Sequence, residues 1–205
     1  MATFSSVRSG NRTARAAERS LLVGLRPVLM PSRLEDPPEK IPFLDGHWLK
    51  LDGGHAGLEV ADEAVYLGIA LRNAGNGIAV LDGWAFFDHR VLGDAPHADL
   101  DDFRRLTRDI YIAAGSLGFW QGSIRDATDP AFDGARQAAA GRRPVTVELL
   151  YGDHEGGQRT ISRFTLMPRD DERRLPAFVA TGTSIGPTPA EGFETPAAPS
   201  RASPR

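Results

Sequence analysis

Apolar and polar positions alternate through most of the chain. In "AVYLGIALRN", Val65, Leu67, Ile69 and Leu71 fall on one side of an extended backbone, the period of two that marks a β-strand. "GIAVLDGWAFFD" follows it, and further apolar runs at "DIYIA", "GFWQGSI", "PVTVELLYGD", "QRTISRFTLMP" and "PAFVAT" predict strands. "LRPVLMP" predicts a short edge strand, because a proline near its start removes a ladder donor. "HWLKL" and "AGLEV" alternate weakly around "DGGH" and predict a hairpin. Many short strands separated by Gly- and Pro-rich turns predict a sandwich of about seven to nine strands. Its core should draw on Leu67, Ile69, Leu71, Val80, Trp84, Phe86, Trp120, Val147, Leu149, Ile161 and Phe164.

Three segments depart from that period. "HADLDDFRRLTRD" predicts a short helix with Asp99 as N-cap, Asp102 three residues on, and arginines in its later turn. "DPAFDGARQAAAG" predicts another, capped by Asp129, with Pro130 in the first turn and Gly141 as its stop. The N-terminal segment predicts an amphipathic helix to about Gly24, ended ahead of Pro27. On that helix Arg8, Arg12, Arg15 and Arg19 fall within an arc of roughly 60°. Val7, Ala14, Leu21 and Leu25 lie on another side. Such a stripe is either a solvated basic face or a contact with an anionic membrane surface. From Gly182 the chain turns to Pro, Ala, Ser and Thr with few large apolar residues, which predicts a disordered tail.

Charge sharpens the picture of the arm. Five arginines against Glu18 give +4 up to residue 26, which leaves −7 for the rest of a chain whose net charge is −3. A basic arm thus precedes an acidic body, and the overall balance carries no nucleic-acid signature. There is no cysteine, which excludes disulfides, thiolate metal sites and cysteine nucleophiles. No stretch reaches the roughly 18 apolar residues of a membrane span, and "MATFSSVRSGNRTARAAER" lacks the apolar centre of a signal peptide.

The densest cluster of reactive residue types is "LLYGDHEGGQRTISRF", with Asp153, His154, Glu155 and Arg159 around Gly156 and Gly157. A phosphate loop needs a helix after its glycines, and here a strand pattern follows, so a β-hairpin is predicted. Consecutive Asp153, His154 and Glu155 would point to alternating sides of a strand, so a metal site there would need ligands from elsewhere as well. "NAGNG" holds a G-x-G but lies between two strands, so it too reads as a turn. His47, His55, His89, His97 and His154 sit in or beside predicted turns, and none forms a helical i, i+4 zinc pair. His47 and His55, with Asp45 or Asp52, are the best metal candidate among them. The acids of "HADLDD" fit helix capping better than a calcium loop. Ser116, Ser123 and Ser162 lack a nucleophile elbow. In "GFWQG", Phe119 and Trp120 should face opposite sides of a strand.

Three stretches together carry a resemblance: a basic helix running into "RPVLMPS", a strand ending "LRNAGNGIAVL", and the hairpin "YGDHEGGQRTISRF". The combination resembles a loose group of bacterial, mainly actinobacterial, proteins with an N-terminal membrane helix, an arginine-rich helix and an immunoglobulin-like β-sandwich. The matching positions are Arg26, Pro27, Asn73, Gly75, Gly77, Ala79, Tyr151, Asp153, Gly157, Arg159 and Thr160. The resemblance implies a fold and a tether, and no activity. Relative to that pattern the membrane helix is missing ahead of Arg8. A Pro/Ala/Ser segment after Thr181 replaces an aromatic, basic ending, as a reading-frame change would produce. An arginine excess behind a membrane helix would put the domain on the cytoplasmic side.

The expectation is therefore an all-β, immunoglobulin-like antiparallel sandwich over 25–181 with two short helical insertions. A basic amphipathic helix over 1–24 precedes it, and a disordered tail over 182–205 follows. Its expected function is a non-catalytic binding or interaction module in the cytoplasm, at the inner membrane face. Arg8, Arg12, Arg15 and Arg19 would contact an anionic membrane surface or a membrane protein. No cofactor, metal or nucleic acid is expected, and the question of a small-molecule ligand stays open. The alternatives are a hydrolase or metal-dependent enzyme using the hairpin polar residues, and a structural domain of a larger assembly.

Overall fold

The strand over Ala64–Asn73 organises the domain because both of its faces are apolar or small. Val65, Leu67, Ile69 and Leu71 face one way, and Ala64, Tyr66, Gly68 and Ala70 the other; all eight are buried. A strand covered on both sides must lie inside a layered structure. The computed structural model describes residues 24–156, 158–169 and 177–188. Its elements are β1 (Leu29–Pro31), β2 (Glu39–Pro42), β3 (Trp48–Leu51), β4 (His55–Ala61), β5 (Ala64–Asn73), β6 (Ala79–Phe87), β7 (Arg104–Ile112), β8 (Leu117–Ile124), helix α1 (Phe132–Ala140), β9 (Val145–Asp153), β10 (Arg159–Pro168) and β11 (Ala177–Thr188).

All pairings are antiparallel. One hydrogen-bonded path runs β1-β5-β4-β11-β10-β9-β6-β7, with β8 on the other side of β5 and β2–β3 apart. The β4–β11 junction spans only the pairs Ala177↔Gly57, Phe178↔Ala56 and Val179↔His55. On either side of it, β8–β5–β4 and β10–β9–β6–β7 turn their inner faces to one core. Leu58, Leu67, Ile69 and Ile124 meet Leu81, Val147, Leu149 and Phe164 there. Trp120 of β8 and Trp84 of β6 meet edge to face, ring centroids 5.2 Å apart, the geometry aromatic quadrupoles favour. The expectation of an all-β, sandwich-like domain is borne out.

Several finer expectations are corrected. Among the described residues one α-helix is present, not two. The segment 97–109 forms a 3-10 turn over Leu100–Asp102 and then β7. Asp99 makes no side-chain cap. As a strand, this segment pairs Ile110 with Leu81 and Ile112 with Ala79, which satisfies the backbone along one side of β6 and buries both isoleucines. The predicted hairpin of "HWLKL" with "AGLEV" does not form either. β3 pairs with β2, and β4 pairs with β5 through a turn at Asp62 and Glu63. Both turn residues have positive φ, 47° and 61°. The last strand runs through Thr188, paired with β10 from Phe178 to Thr188, so the boundary expected at Gly182 moves outward. This backbone pairing fills the gap between β10 and β4, which composition alone does not register.

Of the predicted core, Val80 fails, and Ile161 is buried but lies outside the main core cluster, on the side of β10 that carries Arg163. Opposite β9, a bulge at Asp82 inserts one residue into β6, and on the other side the register to β7 jumps at the same place from Ile110 to Arg105. A bulge reverses which side chains point inward. Ala79 and Leu81 therefore face the core before it, Trp84 and Phe86 after it, and Val80 falls on the outer side. Helix α1 joins β8 to β9 and packs Phe132, Ala135 and Ala138 into the same core. It stops at Gly141 as predicted, but its N-cap is Ala131. Asp129 instead accepts the Ala131 N–H at 2.9 Å and an Arg104 N–H at 2.7 Å.

Candidate functional site

The polar cluster that opens the question, at Asp153 to Arg159, is a hairpin end. β9 and β10 pair from Gly152↔Arg159 to Val145↔Leu166. Gly156 takes φ +74°, and its N–H donates to the Asp153 carbonyl at 3.2 Å. His154 and Glu155 are exposed at the tip.

The three motifs that carried the family resemblance come together where the arm enters the domain. Asn73 is fully buried, and its Nδ2 donates to the Gly77 and Ile112 carbonyls at 2.7 and 2.9 Å. Its Oδ1 accepts the N–H groups of Val28 and Gly75 at 3.1 and 3.0 Å. One amide thus ties the root of the arm, the β5–β6 crossover and the end of β7. Gly75 and Gly77 are required by close approach: a Cβ on either would collide with the backbone at Arg26 and Leu25. From the far layer, the buried Tyr151 hydroxyl accepts the Leu29 N–H at 3.2 Å and bonds Ser162 Oγ at 2.9 Å. Residues 25–29 are held from three directions.

A second polar group lies on the outer side of β9 and β10, beneath the loop 88–99. Glu148 is fully buried and Arg163 is 3% exposed; the two face each other across the strands. Arg163 Nε donates to Glu148 Oε1 at 2.7 Å, and its other nitrogens donate to the carbonyls of Leu92, Ala95 and Pro96. Glu148 Oε1 also meets His97 Nδ1 at 2.7 Å, while Oε2 accepts the Ala98 N–H at 3.0 Å. Thr146 Oγ1 accepts the Val91 N–H and donates to the His89 carbonyl, both at 2.9 Å. A carboxylate on an imidazole can orient a general base. Here the same oxygen also serves Arg163, and the other ring nitrogen of His97 is closed off from solvent with no described hydrogen-bond partner. The group fastens a loop.

A third group latches the β2–β3 hairpin to β5 and β8. Asp45, in the hairpin turn, accepts from Arg125 at 2.5 Å and from the Tyr66 hydroxyl, and it accepts the His47 N–H at 3.1 Å. The Arg125 guanidinium, followed by the Tyr66 hydroxyl, holds the Asp45 carboxyl well below the usual carboxylate range. Burial, followed by the bond to Asp45, pushes the Tyr66 phenol up. His47 stacks on the Tyr66 ring at 3.9 Å and approaches Glu59 at 3.8 Å. The outer side of this hairpin is different: Trp48 is 59% exposed, and with Lys40, Leu49 and Lys50 it lines a shallow hollow of about 280 Å³.

The histidine–aspartate metal candidate is not assembled. His55 Nδ1 bonds the Gly53 carbonyl at 2.6 Å and its Nε2 accepts from Arg169 at 2.8 Å, whereas His47 belongs to the Tyr66 stack. Among the described residues no group of three His, Asp or Glu is placed to hold a metal ion. A larger cleft of about 430 Å³ lies beside α1, where Asp88, His89, Asp102 and Arg104 meet Phe86 and Phe87. His89 Nδ1 lies 3.0 Å from Asp88, and Arg104 is drawn to Asp129 and over the Trp84 ring.

No family model and no curated protein matches this chain. Among solved structures it is similar to one described as "Crystal structure of protein from Archaeoglobus fulgidus". That match has 10% identity and a TM-score of 0.25, and covers 63% of this chain and 91% of that one. A likeness that slight carries no argument about fold or function.

Arg8, Arg12, Arg15 and Arg19 lie outside the described residues. Among those described, no helix is long and apolar enough to cross a membrane. Sequence reasoning passed over Glu148 and Arg163, and named Asp45 as a metal candidate rather than a latch. The available signal was a charge inside the strands "VTVELLY" and "TISRFTL", since buried strands rarely hold an unpaired charge.

Proposed function

We propose that the chain is a non-catalytic binding module with an immunoglobulin-like sandwich, held by its basic arm at the cytoplasmic face of a membrane. Strand order supports the fold assignment. β4–β5–β8 corresponds to strands A, B and E of that topology, and β7–β6–β9–β10 to C′, C, F and G. Trp84 in the core then sits on the strand equivalent to C, where immunoglobulin domains carry a buried tryptophan.

The observation that carries the functional reading is the clamp on residues 25–29. Asn73, Gly75, Gly77 and Tyr151 are spent on fixing the root of the arm, and a rigid root transmits whatever the arm binds. The buried acids and the histidines at 47, 55 and 97 are likewise engaged in holding loops and the hairpin. Four arginines at helical spacing, each worth about 1 kcal/mol near an anionic surface, give weak and salt-sensitive binding. The partner is an anionic lipid surface or a membrane protein.

The test is co-sedimentation of the full chain with phosphatidylglycerol vesicles at low salt. The change of Arg8, Arg12, Arg15 and Arg19 to Gln should remove most of the pelleted fraction, and undiminished pelleting would reject the arm as the contact. The cleft beside α1 favours a second reading, a small-ligand site. Saturable protection of His89 from diethylpyrocarbonate by a metabolite pool would support it.

A further inference from the structure

We infer that the outer face of the β2–β3 hairpin is a second docking surface for anionic lipid, with Trp48 in the interfacial layer and Lys40 and Lys50 on phosphate groups. This rests on the reading above in taking the same surface as partner, but it concerns residues outside the arm sequence.

The chain has two lysines, and they lie directly opposite each other, Lys40↔Lys50. Like charges placed opposite on neighbouring strands repel, so this arrangement favours an anion lodged between them. Among the described residues neither lysine forms an ion pair. The adjacent pair is Pro42↔Trp48, and Arg108 adds a third cation nearby by donating to the Pro42 carbonyl at 3.4 Å. Trp84 and Trp120 are 3% and 0% exposed, so a tryptophan 59% exposed is a departure within this molecule. Leu44, at the tip of the same hairpin, is 78% exposed. Indole rings flanked by lysines are the composition of a membrane interface, where the ring takes the headgroup level and the ammonium meets phosphate.

The hairpin is fixed for such a contact. Ile41, Leu49 and Leu51 are buried on its inner side, and Asp45 latches the turn through Arg125 and Tyr66. A docked hairpin would lose little conformational freedom on binding. A nucleic-acid strand fits less well, because two lysines and one ring make too short a track for successive bases and phosphates.

Trp48 is its own reporter, since the other two tryptophans are buried. With 3:7 phosphatidylglycerol–phosphatidylcholine vesicles, the full chain should show a blue-shifted emission and reduced iodide quenching. Trp48→Phe should show neither change. The double change Lys40→Gln and Lys50→Gln should weaken vesicle partitioning by about 30-fold and leave Trp48 open to iodide. The four-arginine variant should still shield Trp48 once the lipid concentration is raised. If vesicles pellet the wild type while Trp48 stays as quenchable as in solution, the hairpin contact is wrong and the arm contact stands. If the four-arginine variant partitions unchanged with Trp48 shielded, the arm reading falls and the hairpin stands. Shielding by a single-stranded oligonucleotide but not by vesicles would overturn the lipid assignment.

Discussion

The two layers of this domain are covered on their outer sides by opposite means. Over β4 and β5 lies the β2–β3 hairpin, which presses Ile41, Leu49 and Leu51 onto a surface cut back to glycine. A Cβ at Gly57 would meet Leu51 at 3.0 Å, and one at Gly68 would meet Ile41 at 2.9 Å. Over β9 and β10 lies the loop 88–99, fastened by Thr146, Glu148 and Arg163, with no residue of its own in the apolar core clusters. The first cover is held by area and shape, which tolerate small repacking. The second is held by a buried ion pair, which fails sharply if one partner is removed. The apolar cover leaves its outer side free to present Trp48 and two lysines.

That contrast predicts the largest effect at Glu148. Glu148→Ala strands the Arg163 charge in the interior and should cost about 3–5 kcal/mol, read from the urea midpoint. Replacing both residues by methionine should restore much of that loss, and a double variant as unstable as the single one would mean that the loop is held by something else. On the apolar side, Leu49→Ala should cost about 2–4 kcal/mol with no compensating partner change. A loss below about 1 kcal/mol would show that the hairpin is not packed onto β5.

Smaller effects sharpen the same comparison. Asp62 and Glu63 carry left-handed backbone in the tight turn beneath the hairpin, where Asn-Gly would sit without strain. The pair Asp62→Asn and Glu63→Gly should raise stability by about 1 kcal/mol, or Tm by about 3 °C, as measured by calorimetry. No gain would mean that the turn is relaxed with its present residues. A charged latch on the apolar cover is Asp45, whose carboxyl is depressed mainly by Arg125. A depressed carboxyl contributes stability that is present above its unfolded value of 3.8 and lost as pH falls through the lower folded value. Wild type should therefore exceed Asp45→Asn in thermal stability at neutral pH, and the gap should close on acidification below pH 3.8. Parallel curves down to the lowest pH would remove Asp45 as a latch.

Much of this was legible in the residues. β5 announced itself because Val65, Leu67, Ile69 and Leu71 recur at every second position, and the β9–β10 hairpin because Gly156 separates two long apolar runs. The bulge at Asp82 left no compositional trace, so Val80 was placed on the wrong side. The stretch before Ile110 has both a capping pattern and an alternation; the unpaired side of β6, a distant feature, decides for the strand. β2 was missed because "EKIP" buries a single large side chain, Ile41, and lies among prolines. The site residues divide in the same way. The motif residues Asn73, Gly75, Gly77 and Tyr151 stood out, but their meeting around residues 25–29 depends on partners 45 and 122 positions apart, which no local pattern records.

The central claim is that this is a surface-binding module and that charge governs the contact. Its most direct test is the pelleted fraction of the full chain on phosphatidylglycerol and on phosphatidylcholine vesicles across a salt series. Screening shortens from about 10 Å at 0.1 M salt to about 3 Å at 1 M. The account predicts pelleting on the anionic vesicles at low salt, its loss as the salt rises through that range, and none on the zwitterionic ones. Equal pelleting on both lipids, or binding that ignores salt, would contradict it.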